Sequence, residues 1–278
     1  MKIDAHQHFW NLQNVEYSWL VPEYGPIYRN FEPEDLQPIL HATGIDRTVI
    51  IQSANSYADT DAMLAISQQH PWVAGVVGWV PLDQPQEADR KLRVYTKNPI
   101  FKGIRHLIHD ESDPNWIIQP MVMEGLRVLA SYGMTFDVVA VYPKHLKHVP
   151  QLAQEIPNLK LVIDHLAKPP IKAKGWESWA TELAEAAKYP NVYAKISGLN
   201  TAASPEWSAT ELQPYVDYAI EQFGADRLMF GSDWPVAILQ GDYAQVWHET
   251  NQALAKYSAN EQAQILGDTA VKFYQLAT

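Results

Sequence analysis

Eight short apolar, mostly β-branched runs recur along the chain: Lys2–Ala5, Arg47–Ser53, Trp72–Val80, Phe101–Arg105, Thr135–Ala140, Leu159–Asp164, Val192–Ile196 and Leu228–Phe230. Longer segments with helix-like apolar spacing separate them, of which Ala58–His70, Pro120–Tyr132 and Leu212–Phe223 are the clearest. Pro120 suits a first helical turn and Gly133 a helix end. Strands alternating with helices predict a parallel sheet, because a parallel connection must cross over the sheet. Eight such units in 278 residues fit a single (β/α)8 TIM-barrel domain, residues 1–278, better than an open sheet. A doubly wound sheet is the second choice, since no Gly-x-Gly-x-x-Gly follows any strand.

Barrel closure makes the first and last strands neighbours. The first ends in Ile3-Asp4-Ala5-His6-Gln7-His8, and the last runs into Gly231-Ser232-Asp233-Trp234-Pro235. His6 and His8, two residues apart on a strand, share one face. In this architecture chemistry sits at the C-terminal strand ends. The polar residues there are Gln52, Ser53 and Asn55, then Arg105, His106 and His109, then Asp137 and Tyr142. Asp164, His165 and Lys168, Lys195 and Ser197, and Asp233 complete the set. Each is a weak signal alone: His-x-His occurs on surfaces, and Gly-Ser-Asp suits a simple turn. Their coincidence at several strand ends predicts a shared site. The long aromatic stretch from Asn11 to Pro33 follows strand one. It would lie over that face as a lid or substrate lining, or pack as an ordinary loop.

Composition narrows the function classes. Hydrophobic residues at 47% and charged residues at 19% supply a large core and argue against disorder. A formal net charge of −11 speaks against nucleic acid or an anionic membrane as the main partner. With no cysteine there is no disulfide, thiolate metal site or cysteine nucleophile. No signal-peptide core or membrane-length apolar run occurs, so a soluble cytoplasmic protein is expected. A homo-oligomer is compatible with all of this.

The motifs Asp4-Ala5-His6-Gln7-His8-Phe9-Trp10, Lys102-Gly103-Ile104-Arg105-His106, Ile163-Asp164-His165-Leu166-Ala167-Lys168-Pro169 and Phe230-Gly231-Ser232-Asp233-Trp234-Pro235 together resemble the amidohydrolase superfamily. They are most similar to its sugar-lactonase branch, of the L-fuconolactonase and L-rhamnonolactonase type, with pyrone-dicarboxylate lactonase as a relative. The resemblance implies a distorted (β/α)8 barrel. It also implies a divalent-metal site at His6, His8 and Asp233, with His165 as a further ligand. Two departures qualify it. Strand four ends in Arg105 rather than a lysine, so a carbamylated, two-metal centre is not expected. Strand five carries no histidine, so the single-metal ligand set is incomplete unless Asp137 substitutes. Zinc is the favoured ion if one is held, and metal-independent hydrolysis stays open.

The expected reaction is opening of a small sugar lactone. Asp233 would take a proton from water, with His165 and Arg105 completing the catalytic set. Trp10, His106, Lys168 and Trp234 are candidate sugar contacts, each with a packing role as its competitor. Asp137 and Asp164 could orient histidines. A dicarboxylate substrate would call for several arginines. Only Arg105 stands at a functional strand end, with Arg29 able to reach in, so a neutral lactone is favoured. Two alternatives remain at this level: a metal-dependent non-oxidative decarboxylase, and a barrel that binds carbohydrate without turnover.

Overall fold

All eight expected strands form, and they pair in chain order, every neighbour parallel. The computed structural model describes residues 1–277. The strands are β1 (Ile3–Gln7), β2 (Arg47–Ile51), β3 (Val73–Gly78), β4 (Phe101–His106), β5 (Thr135–Val138), β6 (Lys160–Ile163), β7 (Val192–Ile196) and β8 (Leu228–Phe230). β3 and β5 stop short of the sequence expectation because backbone donors leave the ladder. The Trp79 N–H turns to Thr60 Oγ1 at 2.9 Å, and the Ala140 N–H to the carbonyl of Val138 at 2.8 Å.

Helices α1 (Pro33–Thr43), α2 (Tyr57–Gln69), α3 (Pro85–Tyr95), α4 (Pro120–Ser131), α5 (Val149–Glu155), α6 (Glu177–Ala187), α7 (Ala209–Phe223) and α8 (Tyr243–Leu254) follow successive strands. α4 opens on Pro120 and is followed by Gly133 at φ +68°, as its sequence suggested. Its apolar stripe of Val122, Met123, Leu126 and Leu129 is buried. Two short helices, α9 (Ala259–Ala263) and α10 (Thr269–Tyr274), end the chain. No helix among the described residues is long and apolar enough to cross a membrane.

Closure between β8 and β1 is not a full ladder. Gln7 bridges Trp234, the His8 N–H reaches the carbonyl of Trp234 at 2.7 Å, and the Asp233 N–H reaches that of His6 at 2.8 Å. Below this, the buried Asp4 carboxylate clasps the seam. Its Oδ1 accepts from the backbone N–H of Ser232 at 2.9 Å and of His6 at 3.1 Å. Its Oδ2 accepts from Ser232 Oγ at 2.6 Å and the Tyr243 hydroxyl at 2.9 Å. The two segments singled out in the sequence therefore meet at the seam.

The lower interior is apolar. Ile3, Val49, Ile51, Val77, Val162 and Met229 pack with Phe273, Tyr274 and Leu276 of the C-terminal segment. This plug closes the N-terminal end and leaves a polar layer above it.

Candidate active site

Side-chain alternation along the strands builds the polar layer. Lys195 stands two residues above Tyr193, Asp164 above Val162, Asp137 above Thr135 and Arg105 above Gly103, and all four are buried. Lys195 Nζ donates to Asp137 Oδ2, which also accepts from the Tyr274 hydroxyl at 2.7 Å. The same ammonium lies 3.1 Å from Asp164 Oδ1 and 3.0 Å from His6 Nδ1. Arg105 Nε donates to Gln52 Oε1 at 3.0 Å, Nη2 to the Gln52 carbonyl, and Nη1 to Asp164 Oδ2 at 3.2 Å. Burial pushes the Asp137 carboxyl up to about 6 despite the opposing charge of Lys195. Burial would raise Asp164 too, but Lys195, His6 and Arg105 outweigh it and hold that carboxyl well below the usual range.

Above this layer His6, His8 and His165 surround Asp233. Asp233 Oδ1 lies 3.7 Å from His6 Nε2, 3.5 Å from His8 Nε2 and 3.8 Å from His165 Nε2. Asp233 Oδ2 makes no hydrogen bond. Burial opposes ionisation of Asp233, but His165, His8 and His6 overcome it and keep the carboxylate charged. Burial holds His8 below its ordinary range. Burial, reinforced by the charge of Lys195, does the same to His6. His165 falls to about 4, chiefly through burial, so it is neutral at pH 7.

Unusual backbone positions these groups. Asp233 has φ +57°, and His165, Leu166, Ala167 and Lys168 form a left-handed run with φ between +49° and +61°. Leu166, Ala167 and Lys168 are types that seldom adopt this conformation, so each costs about 1–2 kcal/mol relative to ordinary backbone. Strain of this kind concentrates at functional sites. Gly198, at φ +58°, backs the cluster. A Cβ there would sit 2.7 Å from both Asp233 Oδ2 and His165 Nδ1.

A cavity of about 330 Å³ opens onto this cluster. His8, Arg105, His165 and Asp233 form its chemical wall, and Lys168, His109 and Thr201 add polar groups. Leu107, Val139, Val141, Val236 and Leu239 form an apolar side. Trp19, Tyr24 and Ile27 of the loop after β1 also line it.

The amidohydrolase family pattern matches residues 3–276. This chain belongs to the amidohydrolase family. An L-fucono-1,5-lactonase of Burkholderia ambifaria is 37% identical to this amidohydrolase, over 99% of the chain and 96% of the relative. A second, from Burkholderia multivorans, is 30% identical over 99% and 96%. A crystal structure of an amidohydrolase from Burkholderia multivorans with bound zinc has TM-score 0.91 and 30% identity, covering all of both chains.

The structure of this amidohydrolase brings His6, His8, Arg105, His165 and Asp233 together, and all of them but His6 line the cavity with Lys168. Trp10, Trp234 and His106 are not on that wall. Trp10 packs against Trp19 and Phe31 and donates from Nε1 to the Arg29 carbonyl at 2.8 Å. Trp234 packs edge-on against Phe9 and Phe31. His106 receives the Trp79 indole N–H at 3.0 Å, lies 2.8 Å from Glu111 Oε1 and stacks on Trp116 at 4.0 Å. Its ring is thus committed to framing the loop after β4. Arg29 does not reach in either. It lies over Phe31 and pairs with Asp35.

The cavity residues missed include Trp19 and Tyr24, at which only the aromatic density of the 11–33 loop hinted. Lys195 was named among the strand-end polar residues but given no role, and it is buried beneath the histidines.

The cluster has dimensions suited to a divalent ion. Ligand atoms of His6, His165 and Asp233 all lie within 4.8 Å of one another, and His6 Nε2 is 3.2 Å from His8 Nε2. Ligand atoms at the corners of a tetrahedral zinc site lie about 3.3 Å apart. The chemistry fits as well. His8 Nδ1 is 2.7 Å from the Ile51 carbonyl, so that nitrogen carries the proton and Nε2 is a bare donor atom. Beside it stands an ionised carboxylate with one oxygen free of hydrogen bonds.

Proposed function

We propose that this amidohydrolase hydrolyses a sugar-acid lactone of the L-fucono-1,5-lactone class to the aldonic acid, with Asp233 activating the water. The observation that carries this reading is a buried carboxylate ringed by His6, His8 and His165 at the wall of a cavity of about 330 Å³, with the Arg105 guanidinium on the same wall. The names borne by the two curated relatives support the substrate class.

Asp233 takes a proton from water as the water oxygen bonds to the lactone carbonyl carbon. Negative charge then moves onto the carbonyl oxygen. Three of the five Arg105 N–H donors are committed to Gln52 and Asp164, Nη1 also lies 3.4 Å from His6 Nε2, and the second Nη2 N–H remains for that oxyanion. His165 Nδ1 lies 2.9 Å from Ser197 Oγ. With the hydroxyl donating to Nδ1, the His165 proton sits on Nε2 and supports the same charge. Collapse breaks the ring C–O bond, and the proton on Asp233 passes to the ring oxygen. His6, His8 and Asp233, with His165 beside them, are the residues that would hold a divalent ion, zinc suiting this nitrogen and carboxylate set, and such an ion supplies Lewis acidity toward a carbonyl or water.

Lys168, His109, Thr201 and Tyr24 are suited to sugar hydroxyls. Arg105 is the one arginine on the cavity wall, which favours a neutral lactone over a dicarboxylate. The test is a pH-indicator screen of aldonolactones, including L-fucono-1,5-lactone, beside an assay for carbon dioxide release from hydroxybenzoates. Proton release from a lactone supports the reading. Decarboxylation without lactone turnover refutes it.

A further inference from the structure

Three consecutive carbonyls where β2 ends each hold one side chain of the cavity wall. The Ile51 carbonyl lies 2.7 Å from His8 Nδ1. The Gln52 carbonyl accepts from Arg105 Nη2, and the Ser53 carbonyl accepts from the Trp19 indole N–H at 2.7 Å. His8, Arg105 and Trp19 all line the cavity. The first two belong to the chemistry described above, and Trp19 has no part in it. Ser53 is fixed from its other side as well, because its N–H donates to the buried Asp59 carboxylate at 2.8 Å.

Trp19 belongs to the loop after β1, where it packs edge-on against Trp10 at 5.5 Å and Tyr24 at 5.7 Å between ring centres. Its one polar atom is the indole nitrogen, and that N–H is spent on Ser53. What Trp19 offers the cavity is therefore apolar ring. Among the described residues it is the one tryptophan on the cavity wall. Trp10 and Trp234 bury their rings almost completely behind it, whereas Trp19 stays partly exposed.

We propose that Trp19 is a specificity-determining residue, the platform on which the sugar ring rests. A 1,5-lactone ring is amphipathic: hydroxyls radiate from its edge, while its faces carry C–H bonds. An indole ring buries those C–H bonds, and its hydrogen bond to Ser53 fixes it without offering a polar group in their place. Adjoining carbonyls of one strand end set Trp19 relative to Arg105 and His8, so a ring seated on Trp19 is held in register with the chemical wall. In an L-fucono ring the hydroxyl on the fourth carbon is axial, which leaves neighbouring C–H bonds bare on the opposite face, the face suited to such a platform. The inference rests on the lactonase reading for the identity of the ring.

The test uses the full-length protein and 1,5-anhydro-L-fucitol, which keeps the ring and its hydroxyls but has no carbonyl to open. Titration calorimetry gives its affinity, and tryptophan fluorescence reports the contact. Trp19→Leu keeps an apolar side chain without the ring, Trp19→Phe keeps a ring without the N–H, and circular dichroism checks the folding of both. The wild type should bind the fucitol more tightly than its epimer at the fourth carbon. Trp19→Leu should lose roughly 10-fold in affinity for the fucitol and most of that preference, while Trp19→Phe should stay within about threefold of wild type and lose the fluorescence change. A folded Trp19→Leu protein within about twofold of wild type overturns the proposal. So does an equal loss in both variants, which would trace the effect to the bond with Ser53 and not to the ring, and so does a wild type that does not bind the fucitol. Proton release from L-fucono-1,5-lactone is measured separately. Turnover of the lactone beside unaltered fucitol binding in Trp19→Leu removes this inference and leaves the lactonase reading standing. A fucitol site that depends on Trp19, in a protein that opens no lactone, does the reverse.

Discussion

The clasp at Asp4 decides whether His6 and His8 stay opposite Asp233, and its strength can be worked from its contacts. Four hydrogen bonds of 2.6–3.1 Å end on this carboxylate. Hydrogen bonds to charged groups contribute about 1.5–3 kcal/mol each, a gross of roughly 6–12 kcal/mol. Burial outweighs them for the charged form, so that with these bonds in place the carboxyl is still raised from 3.8 to about 6. Asp4→Ala removes the acceptor and strands four donors, so a net loss of about 4 kcal/mol is expected, in the range measured for broken buried networks. Asp4→Asn should cost only about 1 kcal/mol. Its oxygen keeps the two backbone donors, and the Ser232 and Tyr243 hydroxyls can rotate to accept from its amide. Urea unfolding at pH 7 gives both values. An alanine variant within 1 kcal/mol of wild type, or an asparagine variant as weak as alanine, would refute the reasoning.

Two further predictions concern the cavity and its surroundings. Asp59 accepts from the backbone N–H groups of Ser53 and Ala54 at 2.8 and 3.2 Å, yet burial raises its pKa from 3.8 to about 6. A raised folded-state value means stability that is fully present below about pH 3.8 and lost as pH climbs through about 6, worth about 3 kcal/mol across that window. Asp59→Asn should remove that much of the decline between pH 4 and 7 in urea titrations, and an unchanged slope would contradict it. Lys168→Ala should raise KM for the lactone severalfold with kcat within about twofold, the signature of lost binding shared by ground and transition states. A fall in kcat at constant KM would instead make Lys168 part of the chemistry.

The strands and the seam could be read from the sequence because they rest on periodicity, which survives without tertiary knowledge. His6, His8 and Asp233 followed from closure alone, since only a barrel makes strands one and eight neighbours. The faces of Trp10 and Trp234 could not be read. Both are adjacent to site motifs, but each turns into an aromatic cluster with Phe31, behind the cavity wall. His106 failed for a similar reason, because Trp79, Glu111 and Trp116 hold it and all come from other segments. The left-handed turn at His165–Lys168 gave no warning either, since no glycine or asparagine marks it. It is nevertheless what carries Lys168 to the cavity. The loop after β1 was open between a lid or lining role and plain packing, and it both packs and lines the cavity. Trp10 anchors its base against Phe31, while Trp19 and Tyr24 reach the cavity.

The central claim is that Asp233 is the base. Initial rates of L-fucono-1,5-lactone opening, followed by proton release, test it most directly in Asp233→Asn. The side chain keeps its shape and loses only its basicity and charge. A fall in kcat of roughly 10²–10⁴-fold with folding intact is expected. A folded Asp233→Asn enzyme turning over the lactone within tenfold of wild type would contradict it.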